Sequence, residues 1–250
     1  MFSESHCHLR NISDQVIEQV KKIGVELVLN AGIDLTSSEQ AALAAGKYRI
    51  VKAGVGIHPW NADQYNRTAR RRLKELATYN GVVAMSEIGL DCVGRMTHEG
   101  EFVNETVEKW IQRNAFHEQL RLAKELHLPV IVHDRTPYQE VLDILEEVGN
   151  ADIGAAIHGL SKDLAYAKRC VEMRVYISIG LRDISSSENE ILKEVIRQTP
   201  LEWLLTETDS ASPEGVLTVA KKIAEIKGLT RDDVGQATTH NLRRFTKLLQ

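Results

Sequence analysis

The chain is poor in cysteine. Cys7, Cys92 and Cys170 are the only three in 250 residues, and no two form a Cys-x-x-Cys pair. An odd, sparse set argues against a disulfide framework and for free thiols in a reducing compartment. Long apolar runs are also missing. Nothing approaches the length of a membrane span, and the opening MFSESHCHLR carries no apolar segment of the signal-peptide kind, so a cytoplasmic protein with no membrane association is expected. Basic charge is not in excess either: 31 Lys and Arg stand against 35 Asp and Glu, a formal net charge of −4. Bulk electrostatics therefore makes no case for a polyanionic partner, which would have to meet a local basic patch. No linker, low-complexity stretch or charge block divides the chain, so residues 1–250 read as a single domain.

What is present is alternation. Short apolar runs at 2–8, 25–31, 50–57, 82–88, 129–132, 153–157, 175–179 and 203–205 read as strands. Helical patterns fall between several of them, at 12–23, from Thr36 or Ser37 as a cap to about Gly46, and at 67–79, 105–126 and 137–148. Two more follow the last strand, at 213–227 and 231–249. Eight nearly continuous apolar strands, alternating with helices in a chain of this length, predict a parallel α/β fold, the (β/α)8 or TIM barrel.

In such barrels the chemistry gathers at the C-terminal ends of the strands. His6 and His8 close the first strand, and residues two apart share a face, so they project together while Cys7 points away. Glu87 closes the fourth strand, His133 the fifth and His158 the sixth; Asp209 follows the eighth. These histidines and carboxylates are the ligand types of zinc or another divalent ion. They exceed one tetrahedral shell, which favours two divalent cations (Zn, Mn or Mg) bridged by a carboxylate, a pair able to polarise a phosphoryl or carbonyl oxygen and generate hydroxide near neutral pH. Singly, each has a plainer role: a hydrogen-bonded strand-end histidine, Glu87 paired with an arginine, Asp209 capping a helix near Pro213. Their joint register favours the metal centre. His98, His117, His127 and His240 fall off that register and take the plainer role.

The segments SHCHL (5–9), GIHP (56–59), SEIGLD (86–91), LRLAKELHLPVIVHDR (120–135), AAIHG (155–159), LLTETDS (204–210) and HNLRRF (240–245) together resemble the TatD family of metal-dependent hydrolases, in the amidohydrolase-like superfamily. The resemblance spans nearly the whole chain. It implies that His6, His8, Glu87 and Asp209 hold one metal and that Glu87, His133 and His158 hold the other, with Glu87 bridging. It also implies a deoxyribonuclease, a phosphodiesterase with nucleic acid as its partner at a local site, in which Glu87 and Asp209 are the catalytic carboxylates. The chain departs from the family pattern at Glu4, where Asp is usual before the His-x-His, and at Trp60, where a second His is common. It departs again at Gly159–Lys162 after His158, at Cys92, in the longer segment to Glu105, and in the short loop after Asp209. The metal positions survive while the loops facing a substrate differ.

His58 and Arg135, both just past strand ends, are the candidates for substrate binding; a guanidinium offers paired donors to a phosphate. Their plainer roles are a turn residue before Pro59 and an ion pair with Asp134 or Asp163. Arg10, Arg95, Lys162 and Arg182 suggest a basic ring around the mouth, which Asp34, Asp63, Asp163 and Asp183 in comparable loops weaken. Trp60 and Tyr65 read as stacking residues or, better, as loop anchors. Two rivals to the nuclease stand. One is ester or amide hydrolysis, such as deacylation of mischarged aminoacyl-tRNA. The other is a non-catalytic protein that keeps metal for structure.

Overall fold

The computed structural model describes residues 1–9, 12–96, 102–103, 106–149, 152–186 and 189–249. Arg10, His98 and the Arg95 side chain lie outside these. Eight strands form one sheet: β1 (Phe2–Cys7), β2 (Val25–Ala31), β3 (Val51–Val55), β4 (Val82–Asp91), β7 (Val130–Arg135), β8 (Ala155–Ile157), β9 (Val175–Gly180) and β10 (Leu204–Glu207), in that order, every paired neighbour parallel. The remaining two, β5 (Arg95–Met96) and β6 (Phe102–Val103), pair antiparallel as a separate hairpin. Helices α1 (Asp14–Lys22), α2 (Leu35–Lys47), α3 (Arg67–Leu76), α4 (Lys109–Leu126), α5 (Glu140–Val148), α6 (Leu164–Glu172), α7 (Leu181–Ser185), α8 (Glu190–Gln198), α9 (Val216–Lys227) and α10 (Arg231–Phe245) surround the sheet.

The sheet curls until β1 and β10 lie side by side, giving a near-closed TIM-like barrel. Side chains do much of the joining along this seam. Ser5 Oγ donates to Thr206 O at 3.0 Å and Thr206 Oγ1 to Ser3 O at 2.9 Å. Above them the Asp209 N–H donates to His6 O at 3.0 Å and the His8 N–H to Ser210 O at 2.9 Å.

Two apolar layers follow from strand alternation. The larger cluster packs strands against helices, with Leu73, Leu120, Leu142 and Ile223 fully buried. A smaller one, containing Leu27, Leu29, Ile131, Ala156, Leu205, Leu242 and Phe245, joins strand residues to the last helix. Ile131 and Ala156 stand two residues before His133 and His158, so the same strand faces that are apolar low in the barrel carry polar residues at its mouth.

Expected and observed bounds differ in instructive places. The α2 cap is Asp34, whose carboxylate accepts the Ser37 N–H, while Ser37 returns a bond to the Asp34 backbone; neither Thr36 nor Ser37 is itself the cap. β4 continues past Ile88 to Asp91, because Gly89 is not a breaker here: its φ is +145° and a Cβ there would stand 2.0 Å from His133 O. β7 likewise continues to Arg135, since Gly89, Leu90 and Asp91 pair with His133, Asp134 and Arg135.

Candidate metal centre

His6, His8, Glu87, His133, His158 and Asp209 converge at the mouth, with His58 beside them. Glu87 is the hub. Its Oε2 lies 3.3 Å from His6 Nε2 and 3.4 Å from His8 Nε2. Its Oε1 lies 2.7 Å from His158 Nε2, 3.2 Å from His133 Nδ1 and 3.6 Å from His58 Nε2. Asp209 Oδ1 completes the first group, 3.3 Å from His8 Nε2 and 3.7 Å from His6 Nε2. Close approach of the chain just past β3 makes this position available to Glu87: a Cβ on Gly56 would stand 2.2 Å from Ser86 O, so only glycine fits.

The donor set fits a cation. Two atoms each about 2.0–2.1 Å from a tetrahedral zinc ion stand about 3.3 Å apart, which matches the first group closely. His6 Nε2 and Glu87 Oε2 are buried with no hydrogen-bond partner, an expensive arrangement for polar atoms unless a cation joins them. Tautomers agree as well. His8 Nδ1 lies 3.0 Å from Ala31 O, which can only accept, so in the neutral ring the proton stays on Nδ1 and Nε2 is the atom left to ligate, toward Glu87 and Asp209. The second group is Glu87 Oε1, His133 Nδ1 and His158 Nε2, the two imidazole nitrogens 3.0 Å apart.

The two groups adjoin, since His6, His158 and Asp209 also come within reach of one another; the cluster of His58, Asp91 and His133 reads differently. Asp91 Oδ2 accepts from His133 Nε2 at 2.8 Å and from Trp60 Nε1 at 3.0 Å, and Oδ1 accepts from the Val93 and Gly94 N–H groups. His58 Nδ1 accepts the Trp60 N–H at 3.0 Å, which leaves the proton on Nε2. These atoms are already engaged in hydrogen bonds, so the cluster is an orienting network. Two glutamines of α4 clamp its backbone, Gln112 bonding both ways to Asp91 and Gln119 both ways to Ile57.

Charge follows the same geometry. Burial opposes ionisation of Glu87, yet the imidazoles of His158 and His6 and the bond from His133 hold its carboxyl well below the usual range. Asp209 is also lowered: burial opposes it and the His8 hydrogen bond wins. Burial pulls His8 down, but the Asp209 and Glu87 carboxylates more than offset this and raise it to about 10. His158 is raised well above its ordinary value, with Glu87 and Glu207 outweighing burial. Burial drives His58 well below, so it stays neutral. Asp91 is held at about 2, since bonding to His133 overcomes burial. Beneath the mouth lie two fully buried acids. Glu4 Oε1 accepts the His6 and Thr208 N–H groups, and burial raises its carboxyl well above the ordinary range. Glu207 Oε1 accepts the Gly159 N–H at 2.6 Å and faces His158 Nδ1 at 3.5 Å.

A cavity of about 520 Å³ opens over the centre, lined by His8, Asn30, His58, Trp60, Glu87, Asp91, Val93, His133, Arg135, Arg182 and Asp209. The Asp209 side chain is 35% exposed and His8 27%, whereas His6 and Glu87 lie beneath at 0% and 4%. Asp209 is thus reachable from the cavity and does not cap a helix. Arg135 also lines it, and the acids expected to neutralise it are engaged elsewhere. Asp134 accepts from Thr136, Tyr166 and Lys162, and Asp163 caps α6.

The basic ring is smaller than expected. Lys162 is spent on Asp134 and on the Thr136 and Tyr138 carbonyls, a structural role; Arg182 remains at the mouth with Asp183 3.7 Å away. Tyr65 is a loop anchor with its hydroxyl buried, while Trp60 is both anchor and cavity wall. Asp34 caps α2 and Asp63 is exposed. His117, His127 and His240 lie on or at the end of helices.

Residues 4–247 match the family described as TatD related DNase. A Bacillus subtilis protein, "Uncharacterized metal-dependent hydrolase YabD", is 29% identical over 99% of this chain and 100% of its own length. A Shigella flexneri protein named "3'-5' ssDNA/RNA exonuclease TatD" is 30% identical over 79% of this chain and 72% of its own. The crystal structure of YJJV, a TatD homologue from Escherichia coli K12, superposes with a TM-score of 0.83 at 25% identity, covering 98% of this chain and 97% of that one. With the family match spanning nearly every strand and helix, the chain belongs to the TatD family of metal-dependent hydrolases, in the amidohydrolase-like superfamily.

Proposed function

We propose that this chain is a phosphodiesterase acting on single-stranded nucleic acid, most simply DNA, from an end, as a single cytoplasmic domain of residues 1–250. The observation that carries it is Glu87 turning its two oxygens to two separate donor groups. His6, His8, Glu87 and Asp209 would hold one divalent ion, and Glu87, His133 and His158 a second; Zn, Mn and Mg all suit such donors. Bound there, the ions supply a polarised phosphoryl oxygen and an activated water at neutral pH. The chain's own residues do the rest. Asp209, ionised and open to the cavity, orients the attacking water and accepts its proton. His58, neutral with its proton on Nε2, donates toward the substrate or the Glu87 Oε1 beside it. Arg135, on the cavity wall, presents its guanidinium to a phosphate. The Shigella relative's name supports a nucleic-acid substrate and an end-directed action.

The test is an activity panel on metal-reconstituted protein: single-stranded DNA, duplex ends, RNA, a p-nitrophenyl phosphodiester and acyl-tRNA. Cleavage of single-stranded DNA or RNA is expected, with apparent affinity falling as salt rises and that dependence flattened in Arg135→Ala. Hydrolysis of acyl-tRNA alone would replace the nuclease by the ester-hydrolase rival, and metal binding with no hydrolysis would leave the structural one.

A further inference from the structure

Trp60 makes contacts that ligand geometry alone does not require. It follows Pro59 in the short turn Pro59–Gln64, half-buried, with its side chain on the cavity wall. Its indole Nε1–H donates to Asp91 Oδ2, the oxygen that also accepts His133 Nε2–H. Its backbone N–H donates to His58 Nδ1, and its ring packs on His58 with centroids 4.2 Å apart. Because Val93 and Gly94 hold the other Asp91 oxygen, the carboxylate cannot turn to satisfy His133 in another way. A neutral imidazole has one proton and one lone pair. With Nε2–H tied to Asp91, His133 must offer its lone pair at Nδ1, the atom 3.2 Å from Glu87 Oε1 and 3.0 Å from His158 Nε2.

We propose that Trp60 is a positioning residue for the second cation: it fixes Asp91, and through it the His133 tautomer, while the same ring forms a wall of the substrate cavity. One side chain thereby links the filling of the cavity to the quality of a ligand. The proposal rests on the two-cation reading above and adds to it a residue outside the ligand set.

The experiment titrates metal-free wild type and Trp60→Phe with zinc and with cobalt(II), by calorimetry and visible absorption. Phenylalanine keeps a ring and loses the N–H. The second equivalent should bind about 10–100-fold more weakly, as for other outer partners of metal-bound histidines, and the first should be unchanged. Asp91→Asn should weaken the second equivalent too, and adding Trp60→Phe to it should weaken it no further. Trp60→Leu, which also removes the ring, should add a rise in KM for the substrate found by the activity panel. An unchanged second equivalent in Trp60→Phe overturns the proposal. Should that variant not fold, the indole ¹⁵N–¹H spectrum of wild type decides. The Trp60 signal, assigned by elimination with Trp110→Phe and Trp203→Phe, should move with the second equivalent and stay with the first. A Trp60 signal that ignores both overturns it equally. A wild type that takes up one ion is a different result, and it sinks the two-cation reading along with the proposal.

Discussion

Replacing Glu87 by glutamine preserves shape and removes one charge from the middle of five imidazole nitrogens, each within 3.6 Å of a carboxylate oxygen. A carboxylate offers an acceptor to both donor groups; an amide offers an acceptor to one and an N–H₂ to the other. Whichever way the amide turns, one cation position faces a donor, and the other loses the charge that neutralised it. At a free metal concentration 100-fold above Kd, each occupied site stabilises the fold by about 2.7 kcal/mol, or about 5 kcal/mol for two. At about 2–4 °C per kcal/mol for a domain of this size, metal should raise the wild-type midpoint by about 10–20 °C. In Glu87→Gln the rise should be half of that or less, with at most one ion in elemental analysis. The assay is scanning calorimetry of each protein in chelator and in excess metal, so that any effect on the metal-free fold is subtracted. Glu87→Gln with two bound ions and the full rise would refute the bridging role.

Four further outcomes are expected. Because an imidazole must shed its proton to ligate, and metal-free His8 titrates at about 10, metal uptake at pH 7 should release protons; equal calorimetric heats in buffers of different ionisation enthalpy would contradict this. By the same linkage, His8 contributes stability to the metal-free protein that is full below about 6.5 and lost as pH rises through about 10; a melting temperature flat across that window would count against the ion pairs. Asp209→Asn keeps an oxygen donor but cannot take a proton, so turnover should drop by about two to four powers of ten while most metal remains; wild-type turnover would remove Asp209 from the mechanism. Gly56→Ala should cost about 1–3 kcal/mol by pressing on Ser86 O, and should weaken metal binding through the displaced Glu87; unaltered denaturant and metal titrations would show that the chain past β3 yields more readily than its contacts imply.

The gathering of the candidate ligands at the mouth was legible because two simple periods carry them. His6 and His8 share a strand face, and acids and histidines recur where apolar runs stop. The layer behind them was not. Asp91 sits inside a recognisable motif, yet only the fold shows it receiving bonds from His133 and Trp60, because those two partners come from separate parts of the chain. Glu4 and Glu207 stand two residues before His6 and Asp209, a spacing that could have signalled a shared strand face. Their burial became visible only once β1 and β10 were brought together. Gln112 and Gln119 read as ordinary polar helix residues until their side chains are seen bonding strand-end backbone. α6 and α7 give little signal: α6 mixes lysine and arginine with its buried Tyr166, Ala167 and Cys170, and α7 is a single short turn. α8 does carry one, with Leu192, Val195 and Ile196 on one helical face behind an Asn189 cap.

The seam between β1 and β10 has a kinetic meaning. The hydrogen bonds of Ser5 and Thr206 across it join residues some two hundred positions apart, so they form only after the intervening chain is ordered, when loop closure is most costly. The two halves of the metal centre therefore mature unequally. Glu87, His133 and His158 are assembled by β4, β7 and β8, in the middle of the chain. His6, His8 and Asp209 meet only when its first and last strands do. The first half is expected to survive partial opening of the barrel and the second to go with the seam. In metal-free protein, amide exchange should accordingly be faster at the His8 and Asp209 N–H groups than at His133, and equal protection at all three would show the barrel opening as one unit.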